Sequence, residues 1–94
     1  ITDNFLPEEI KLYPSYPNPF NPSTTISLGI ANAAFIKVSI YDVNGRLVDN
    51  LYNSIIASGY HQIAWNATNK ASGIYFVLLE SAGQIKTQKL VLMK

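Results

Sequence analysis

The sequence predicts an all-β domain, a β-sandwich of about six or seven short strands. Apolar runs of strand length alternate with turn signals, and no stretch has the periodicity of an amphipathic helix. Aromatic residues make up 12% of the chain and charged residues only 14%, a balance typical of pleated, half-buried strands. The 94 residues are enough for one domain with a modest core.

The composition also excludes several classes of protein. The chain has no cysteine, which excludes a disulfide scaffold, a thiol nucleophile and a thiolate metal site. The net charge of +1 is spread along the chain and lacks the clustered basic face of a nucleic-acid-binding protein. No apolar run approaches the roughly 18 residues of a membrane-spanning helix.

Residues 1–12 are predicted to be a linker within a longer protein, and residues 13–94 the folded domain. The linker is acidic, and it has no basic region followed by an apolar one, so no signal peptide is predicted here. Its last residues, from Ile10 onward, suit a short edge strand.

Residues 16–26 are predicted to be a rigid coil that runs into a strand. Three of the residues between positions 17 and 22 are proline, which excludes a helix because each fixes its own φ and lacks an N–H. Tyr13, Tyr16 and Phe20 are costly to leave in water. The segment is therefore predicted to pack as a clamp against the β core.

Two half-buried strands are predicted next, at residues 25–30 and 35–42, because apolar and polar residues alternate in both. Lys37 and Ser39 are expected to point outward. The inward residues are Ile26, Leu28, Ile30, Ile36, Val38 and Ile40.

A tight hairpin is predicted at Asn44-Gly45. This dipeptide between apolar β runs favours a type I′ turn, which needs a positive φ at both central residues. The hairpin would join residues 35–43 to residues 46–51, and a loop is predicted at residues 52–58.

Three further strands are predicted in the second half, at residues 60–66, 73–81 and 85–92. In the first of these, Trp65 lies in phase with Ile63, which favours a place in the core. The second is almost continuously apolar and is predicted to be a central strand covered on both faces. Glycines in the intervening segments mark turns.

No catalytic, cofactor-binding or metal-binding residue is predicted. The single histidine, His61, has no identifiable nucleophile or orienting partner, so a structural hydrogen bond explains it better. Asp42, Asp49 and Glu80 are not arranged as a catalytic pair, because they fall on a hairpin and at a strand end. Residues 42–45 resemble the start of a calcium loop, but the later oxygen ligands are missing.

The basic C-terminal strand is the best candidate for a functional surface. Its lysines either protect an exposed edge from pairing or present a surface to a receptor that adds a strand. The same open edge, near residues 85–92, makes a strand-paired homodimer of the isolated domain an expectation. The candidate recognition residues are Lys86, Lys89, Leu90, Val91, Leu92, Met93 and Lys94.

The motifs, in this order, resemble type A C-terminal sorting domains of the type IX (Por) secretion system. The most specific is Tyr-Pro-Asn-Pro-Phe-Asn-Pro-Ser-Thr-Thr-Ile at residues 16–26, and the resemblance covers about residues 12–94. Ala67 and Asn32 depart from the family pattern, both in loops. The residues that carry the signature are Tyr16, Pro17, Asn18, Pro19, Phe20, Asn21, Pro22, Asn44, Gly45, Gly59, Trp65, Gly73 and Tyr75.

The resemblance implies an immunoglobulin-like β-sandwich of about seven antiparallel strands without enzymatic activity or a cofactor. Such a domain directs an attached upstream cargo protein, through the periplasm and the outer-membrane translocon, to the surface or medium of a Gram-negative bacterium of the Bacteroidetes type. A sortase-like peptidase is an implied partner, and the lysine-rich tail becomes the favoured recognition element. The chain also resembles the related immunoglobulin-like domain of the flagellar hook-capping protein.

A carbohydrate-binding or adhesive sandwich of a secreted bacterial protein is the alternative. In that case exposed aromatic side chains would stack on sugar rings, and Trp65 and Tyr60 are the residues to test.

Overall fold

Seven antiparallel strands form two packed sheets in a computed structural model that describes residues 10–94. One sheet has the order β1-β2-β5 and the other the order β4-β3-β6-β7, which confirms the all-β sandwich. The described residues contain no helix that could cross a membrane. The strands are β1 Lys11–Leu12, β2 Ser23–Ile30, β3 Ala34–Asp42, β4 Leu47–Ile56, β5 Gly59–Asn66, β6 Gly73–Ser81 and β7 Gln84–Leu92.

The core lies between the two sheets, where the predicted inward residues of β2 and β3 are at most 1% exposed. Their alternation is therefore confirmed. Ser39 was predicted to point outward, and it is nevertheless fully buried. It lies beside a bulge in the pairing of β3 with β4, between its larger cross-strand partners Asn50 and Leu78. A small side chain between larger neighbours is covered on either face of a sheet.

β6 is central in its sheet, but the prediction that both its faces are covered is wrong. Tyr75, Val77 and Leu79 are buried, whereas Ile74 and Phe76 on the other face are 41% and 37% exposed. The three-stranded sheet packs on one side of the four-stranded sheet only. Within residues 10–94, nothing covers the opposite face, which we call the outer face.

β4 continues through Ile56, so the loop predicted from residue 52 is wrong. Its second half pairs with the first half of β3, from Ala34↔Ile56 to Val38↔Tyr52. A bulge at this point places Leu51 between two paired residues, and Leu51 and Tyr52 both pack against the core. Pairing with β3 therefore decides the conformation of a stretch that was predicted to be a loop.

The hairpin between β3 and β4 exists, but its predicted type I′ turn is wrong. Gly45 alone has a positive φ, of 80°, and the loop has three residues because the Asp42 amide donates to the Arg46 carbonyl (3.0 Å). The Asp42 carboxylate accepts hydrogen bonds from the amides of Asn44 (2.9 Å) and Arg46 (3.0 Å). These bonds, that from Arg46 first, hold the pKa of Asp42 below its usual range. They favour the longer, bulged loop over the two-residue turn.

The two-residue turn with positive φ occurs instead between β6 and β7, at Ala82 (φ 51°) and Gly83 (φ 80°). Alanine is disfavoured in this left-handed conformation, whereas asparagine tolerates it. We therefore expect Ala82→Asn to raise the free energy of unfolding by about 0.5–1 kcal/mol. Urea denaturation measures this gain.

The matched control for this substitution is Ala33→Asn, at an exposed turn position between β2 and β3 without a positive φ. It should leave the stability unchanged. An equal gain in both variants would show that the side chain itself, rather than the backbone conformation at Ala82, is responsible.

The folded part begins no later than Ile10, which is 6% exposed and belongs to the core. β1 pairs with β2 through Lys11↔Gly29 and Leu12↔Leu28 and is an edge strand. Ile10 through Leu12 thus belong to the sandwich rather than to the linker. The linker prediction for residues 1–9 lies outside the described residues.

Candidate recognition site formed by the proline clamp and the C-terminal strand

The coil predicted within residues 16–26 extends in the structure from residue 13 to residue 22. We call residues 13–22 the proline clamp, and they run along the edge of β7. The Phe20 amide donates to the Val91 carbonyl (2.9 Å), and the Met93 amide donates to the Phe20 carbonyl (3.0 Å). Phe20 and Leu92 form a parallel bridge. Because the prolines lack N–H groups, Phe20 is the residue within positions 17–22 whose backbone pairs with this edge.

Asn18 extends this pairing with its side chain. Its Nδ2 donates to the Lys89 carbonyl (3.0 Å), and its Oδ1 accepts from the Val91 amide (3.0 Å). A primary amide offers one donor and one acceptor side by side, as a peptide group does. The Asn18 side chain therefore takes the place of a peptide group, because the prolines on either side of it have no N–H to donate.

Gln88 holds the beginning of the clamp. Its Oε1 accepts hydrogen bonds from the amide (2.8 Å) and hydroxyl (2.6 Å) of Ser15, and its Nε2 donates to the Tyr13 carbonyl (2.7 Å). Ser15 is 6% exposed. These partly buried bonds satisfy polar groups that would be costly to leave unpaired.

The clamp also pairs with β2 and so joins the two sheets. Tyr16 and Thr25 exchange backbone hydrogen bonds of 3.1 and 3.0 Å, and the Tyr13 amide donates to the Ser27 carbonyl (2.9 Å). The Thr24 hydroxyl donates to the Pro17 carbonyl (2.6 Å). β2 lies in one sheet and β7 in the other, so the clamp closes one side of the sandwich.

Phe20 anchors the clamp in the core. It is 2% exposed, and its ring lies 5.5 Å from that of Trp65, which in turn lies 5.4 Å from that of Tyr75. Three residues of the sequence signature thus form one aromatic cluster. The indole N–H of Trp65 donates to the Asp49 carboxylate (2.8 Å). The cluster explains why the signature is spread over distant parts of the chain.

The two tyrosines of the clamp, Tyr13 and Tyr16, differ in their environment. Tyr16 is 81% exposed, so its predicted packing is wrong. Tyr13 lies with its ring 5.9 Å from that of Tyr60. Partial burial, followed by a hydrogen bond with Tyr60, raises the pKa of the Tyr13 hydroxyl.

The candidate recognition residues divide into two groups. Leu90 and Leu92 are at most 1% exposed and belong to the core. Lys89, Met93 and Lys94 are exposed. Lys86 and Val91 are intermediate. The leucines therefore hold the strand in place, and only the other residues are accessible to a partner in the folded domain.

Lys94 is fixed against the segment between β5 and β6. Its amide donates to the Ser72 hydroxyl (3.0 Å), and its ammonium group donates to the Thr68 carbonyl (2.5 Å). The clamp occupies the β7 edge from the Lys89 carbonyl to the Met93 amide. The open edge expected over residues 85–92 is thus restricted to the first half of the strand.

Three of the four residues weighed for catalysis have a structural partner. His61 Nε2 lies 2.7 Å from the Ala57 carbonyl oxygen, Asp42 binds the β3–β4 turn, and Asp49 binds Trp65. No group of three metal-binding side chains occurs within residues 10–94. The interpretation of Trp65 as a core residue is confirmed, and its burial removes it as a sugar-stacking platform.

In the sequence, the clamp and the tail are separate features at opposite ends of the chain. The structure brings them together through hydrogen bonds between residues that are 71 to 75 positions apart in the sequence. A signal for this contact was present in Asn18. An amide side chain between two prolines provides the hydrogen-bonding groups that the local backbone cannot.

The comparisons with known proteins agree with this architecture. The family described as secretion system C-terminal sorting domain matches residues 15–93. A solved structure of PorZ, an essential bacterial surface component of the type IX secretion system of Porphyromonas gingivalis, is 29% identical and superimposes with a TM-score of 0.61. The match covers 88% of this chain and 11% of that one, so the chain spans about a tenth of the length of PorZ. No curated protein sequence matches the chain.

Domains of this family are C-terminal sorting signals of type IX secretion and are generally non-catalytic. The proteins that carry them are exported to the cell surface or the medium. The match spans residues 15–22 of the clamp and the C-terminal strand, together with the strands between them. The chain therefore belongs to the family of secretion system C-terminal sorting domains.

Proposed function

We propose that this domain is a non-catalytic signal that takes an attached upstream cargo protein through the type IX translocon, and that the translocon recognises β7 as the clamp presents it. The single observation that carries the proposal is the set of backbone and side-chain bonds between the clamp and residues 88–93. They fix a strand that would otherwise be a terminal edge and so present its exposed side chains in one arrangement.

The recognition surface in this proposal consists of the exposed residues of the tail. Lys89 and Lys94 supply positive charge, and Met93, which is 59% exposed, supplies an adaptable apolar contact. Leu90 and Leu92 contribute by anchoring the strand in the core. A partner surface with acidic groups beside an apolar patch complements this arrangement.

The further partners follow from the same proposal. Cargo precedes the domain in the chain and passes with it from the periplasm through the outer membrane. A sortase-like peptidase acts on the exported protein. A homodimer formed by strand pairing would use the first half of β7, since the clamp occupies the second half.

A reporter fusion tests the proposal. We expect a periplasmically targeted fluorescent protein fused to residues 1–94 to reach the surface or medium of a type IX-competent bacterium. The same fusion should stay in the periplasm of a strain without the translocon, and the reporter alone should stay there in both strains. Equal export from the two strains would contradict the proposal.

A further inference from the structure

The three-stranded sheet has an outward side that carries tyrosines, and we call it the tyrosine face. β2 is the middle strand of this sheet, with β5 on one side and β1, followed by the clamp, on the other. Ile26 and Leu28 of β2 are buried in the core, so the residues that alternate with them face outward. These outward residues, all small, are Ser23, Thr25, Ser27 and Gly29.

Side chains of β5 flank this row of small residues on one side. Strand pairing places Tyr60 opposite Gly29 and Gln62 opposite Ser27. Tyr60 is 64% exposed, and Gln62 is exposed as well. Large side chains thus stand beside a row of small ones, which makes one side of a shallow trough along β2.

The clamp supplies the other side of the trough. Tyr16 forms a bridge with Thr25, and the Tyr13 amide donates to the Ser27 carbonyl (2.9 Å). The small residues of β2 leave room for the rings of Tyr13 and Tyr60 to meet across this strand, with centroids 5.9 Å apart. Tyr16, at the far end of the trough, is 81% exposed. Aromatic rings therefore lie at both ends of the tyrosine face.

The tyrosine face carries almost no charge. Residues 13–30 and 59–66, which form the clamp, β2 and β5, contain no aspartate, glutamate, lysine or arginine. Within the described part of the chain, Lys11 is the one charged residue that pairs into this face, opposite Gly29. A surface of this kind complements a neutral ligand, because it offers no charges to pair with those of an acidic or basic partner.

The face is also small for a protein partner. Three strands span about 10 Å, and the stretch from Ser23 to Gly29 spans about 20 Å, so the face covers about 200 Å². A stable protein–protein interface buries about 800 Å² on each partner. A narrow chain that lies along β2 fits this area better than a folded protein does.

The chemistry of the face matches that of a sugar chain. A pyranose ring presents C–H groups on its flat sides and hydroxyl groups around its rim. Aromatic rings attract C–H groups to their faces, and hydroxyl and amide side chains exchange hydrogen bonds with sugar hydroxyls. The tyrosine face offers both kinds of group along one line.

We propose that the tyrosine face binds a neutral oligosaccharide along β2, a function additional to sorting. Tyr16 and Tyr60 stack on pyranose rings, and Ser27 and Gln62 bond to sugar hydroxyls. The clamp, β2 and β5 contain no carboxylate side chain, so the site binds a glycan without hydrolysing it. β7 lies in the other sheet and stays accessible when the glycan is bound.

Affinity electrophoresis of the 94-residue chain tests the proposal, with soluble β-glucan, xylan and mannan as separate probes. At least one of these polymers should retard the wild type, and Tyr60→Ala should lower the affinity for it about tenfold. Tyr16→Ala, at a more exposed position, should lower it as well. Phe35→Ala removes an aromatic ring of similar exposure, 56%, from the other sheet and should bind like the wild type. Absence of retardation by all three polymers, or equal losses in Tyr60→Ala and Phe35→Ala, would overturn the proposal.

Amide chemical shifts locate the bound sugar. A hexasaccharide of the retarding polymer should shift the amide signals of Ser27 and Gln62 and leave those of Phe35 and Ile85 in place. Shifts at Phe35 and Ile85 alone would overturn the proposal. So would sugar-free shifts at Ser27 and Gln62 that depend on protein concentration, because they would assign the face to a second copy of the chain.

Export of the reporter fusion separates this function from sorting. The fusion with Tyr60→Ala should be exported like the wild type, because the proposed sorting surface lies on β7. Retention of this variant in the periplasm would assign the tyrosine face to the translocon and overturn the proposal.

Discussion

Replacing Phe20 by alanine is expected to lower the free energy of unfolding by about 3–5 kcal/mol. Phe20 is 2% exposed and packs against Trp65, so truncation leaves a cavity at the centre of the aromatic cluster. The loss also loosens the clamp, because Phe20 carries both of its backbone bonds to β7. Small domains have total free energies of unfolding of about 5–15 kcal/mol, so this loss would be a large fraction of the total. Chemical denaturation followed by Trp65 fluorescence measures the change.

Tyr16→Ala is the matched control, because it removes an aromatic side chain from the same segment at a position that is 81% exposed. Its cost should stay within about 0.5 kcal/mol. Similar losses in the two variants would contradict the view that Phe20 is the anchor of the clamp.

Deleting residues 90–94 is expected to unfold the domain. The deletion removes Leu90 and Leu92 from the core, and each is worth about 2–5 kcal/mol on truncation to alanine. It also removes the partners of Asn18 and Phe20 at Val91 and Met93. Circular dichroism of the truncated chain should show the loss of the β-sheet signal, and export of a fusion that carries it should fail.

Deleting Lys94 alone removes a candidate recognition residue and leaves the core residues of β7 in place. This change removes two exposed hydrogen bonds and no core side chain, so its cost should be about 1 kcal/mol or less. A folded domain after deletion of residues 90–94 would show that the tail is not part of the core.

The local features of the fold could be predicted from the sequence. Alternating residues such as Ile26 and Ile36 identify the inner faces of β2 and β3, because a one-residue change of register would expose them. The glycine-containing turns and the all-β class follow from equally local signals. The core position of Trp65 also followed from its phase with Ile63 in β5.

Other features of the fold could not be predicted in the same way. The β3–β4 turn is decided by the Asp42 side chain, which accepts two backbone hydrogen bonds and favours a three-residue loop. The second half of β4 was predicted to be a loop and is a strand because β3 pairs with it. The almost continuous apolar run of β6 indicated two covered faces, although one is exposed within residues 10–94.

The candidate site depended most on distant contacts. The signature and the lysine-rich tail were both identified by local patterns, but their contact joins residues more than 70 positions apart, such as Asn18 and Val91. Periodicity contains no information about such a pair. The assignment of Leu90 and Leu92 to the core likewise required the position of the opposite sheet.

The most direct test of the account is export of a folded domain whose tail charges are reversed. In Lys89→Glu/Lys94→Glu both side chains are exposed, so the purified domain should stay within about 1 kcal/mol of the wild-type stability. Export of the reporter should fall about tenfold or more, which corresponds to about 1.4 kcal/mol of lost recognition energy.

The control is Lys11→Glu/Lys37→Glu, which makes the same change of net charge on β1 and β3. We predict that this control is exported normally and that the tail variant is folded but retained. Normal export of the folded tail variant would contradict the central claim that the clamp presents the C-terminal lysines as the sorting signal.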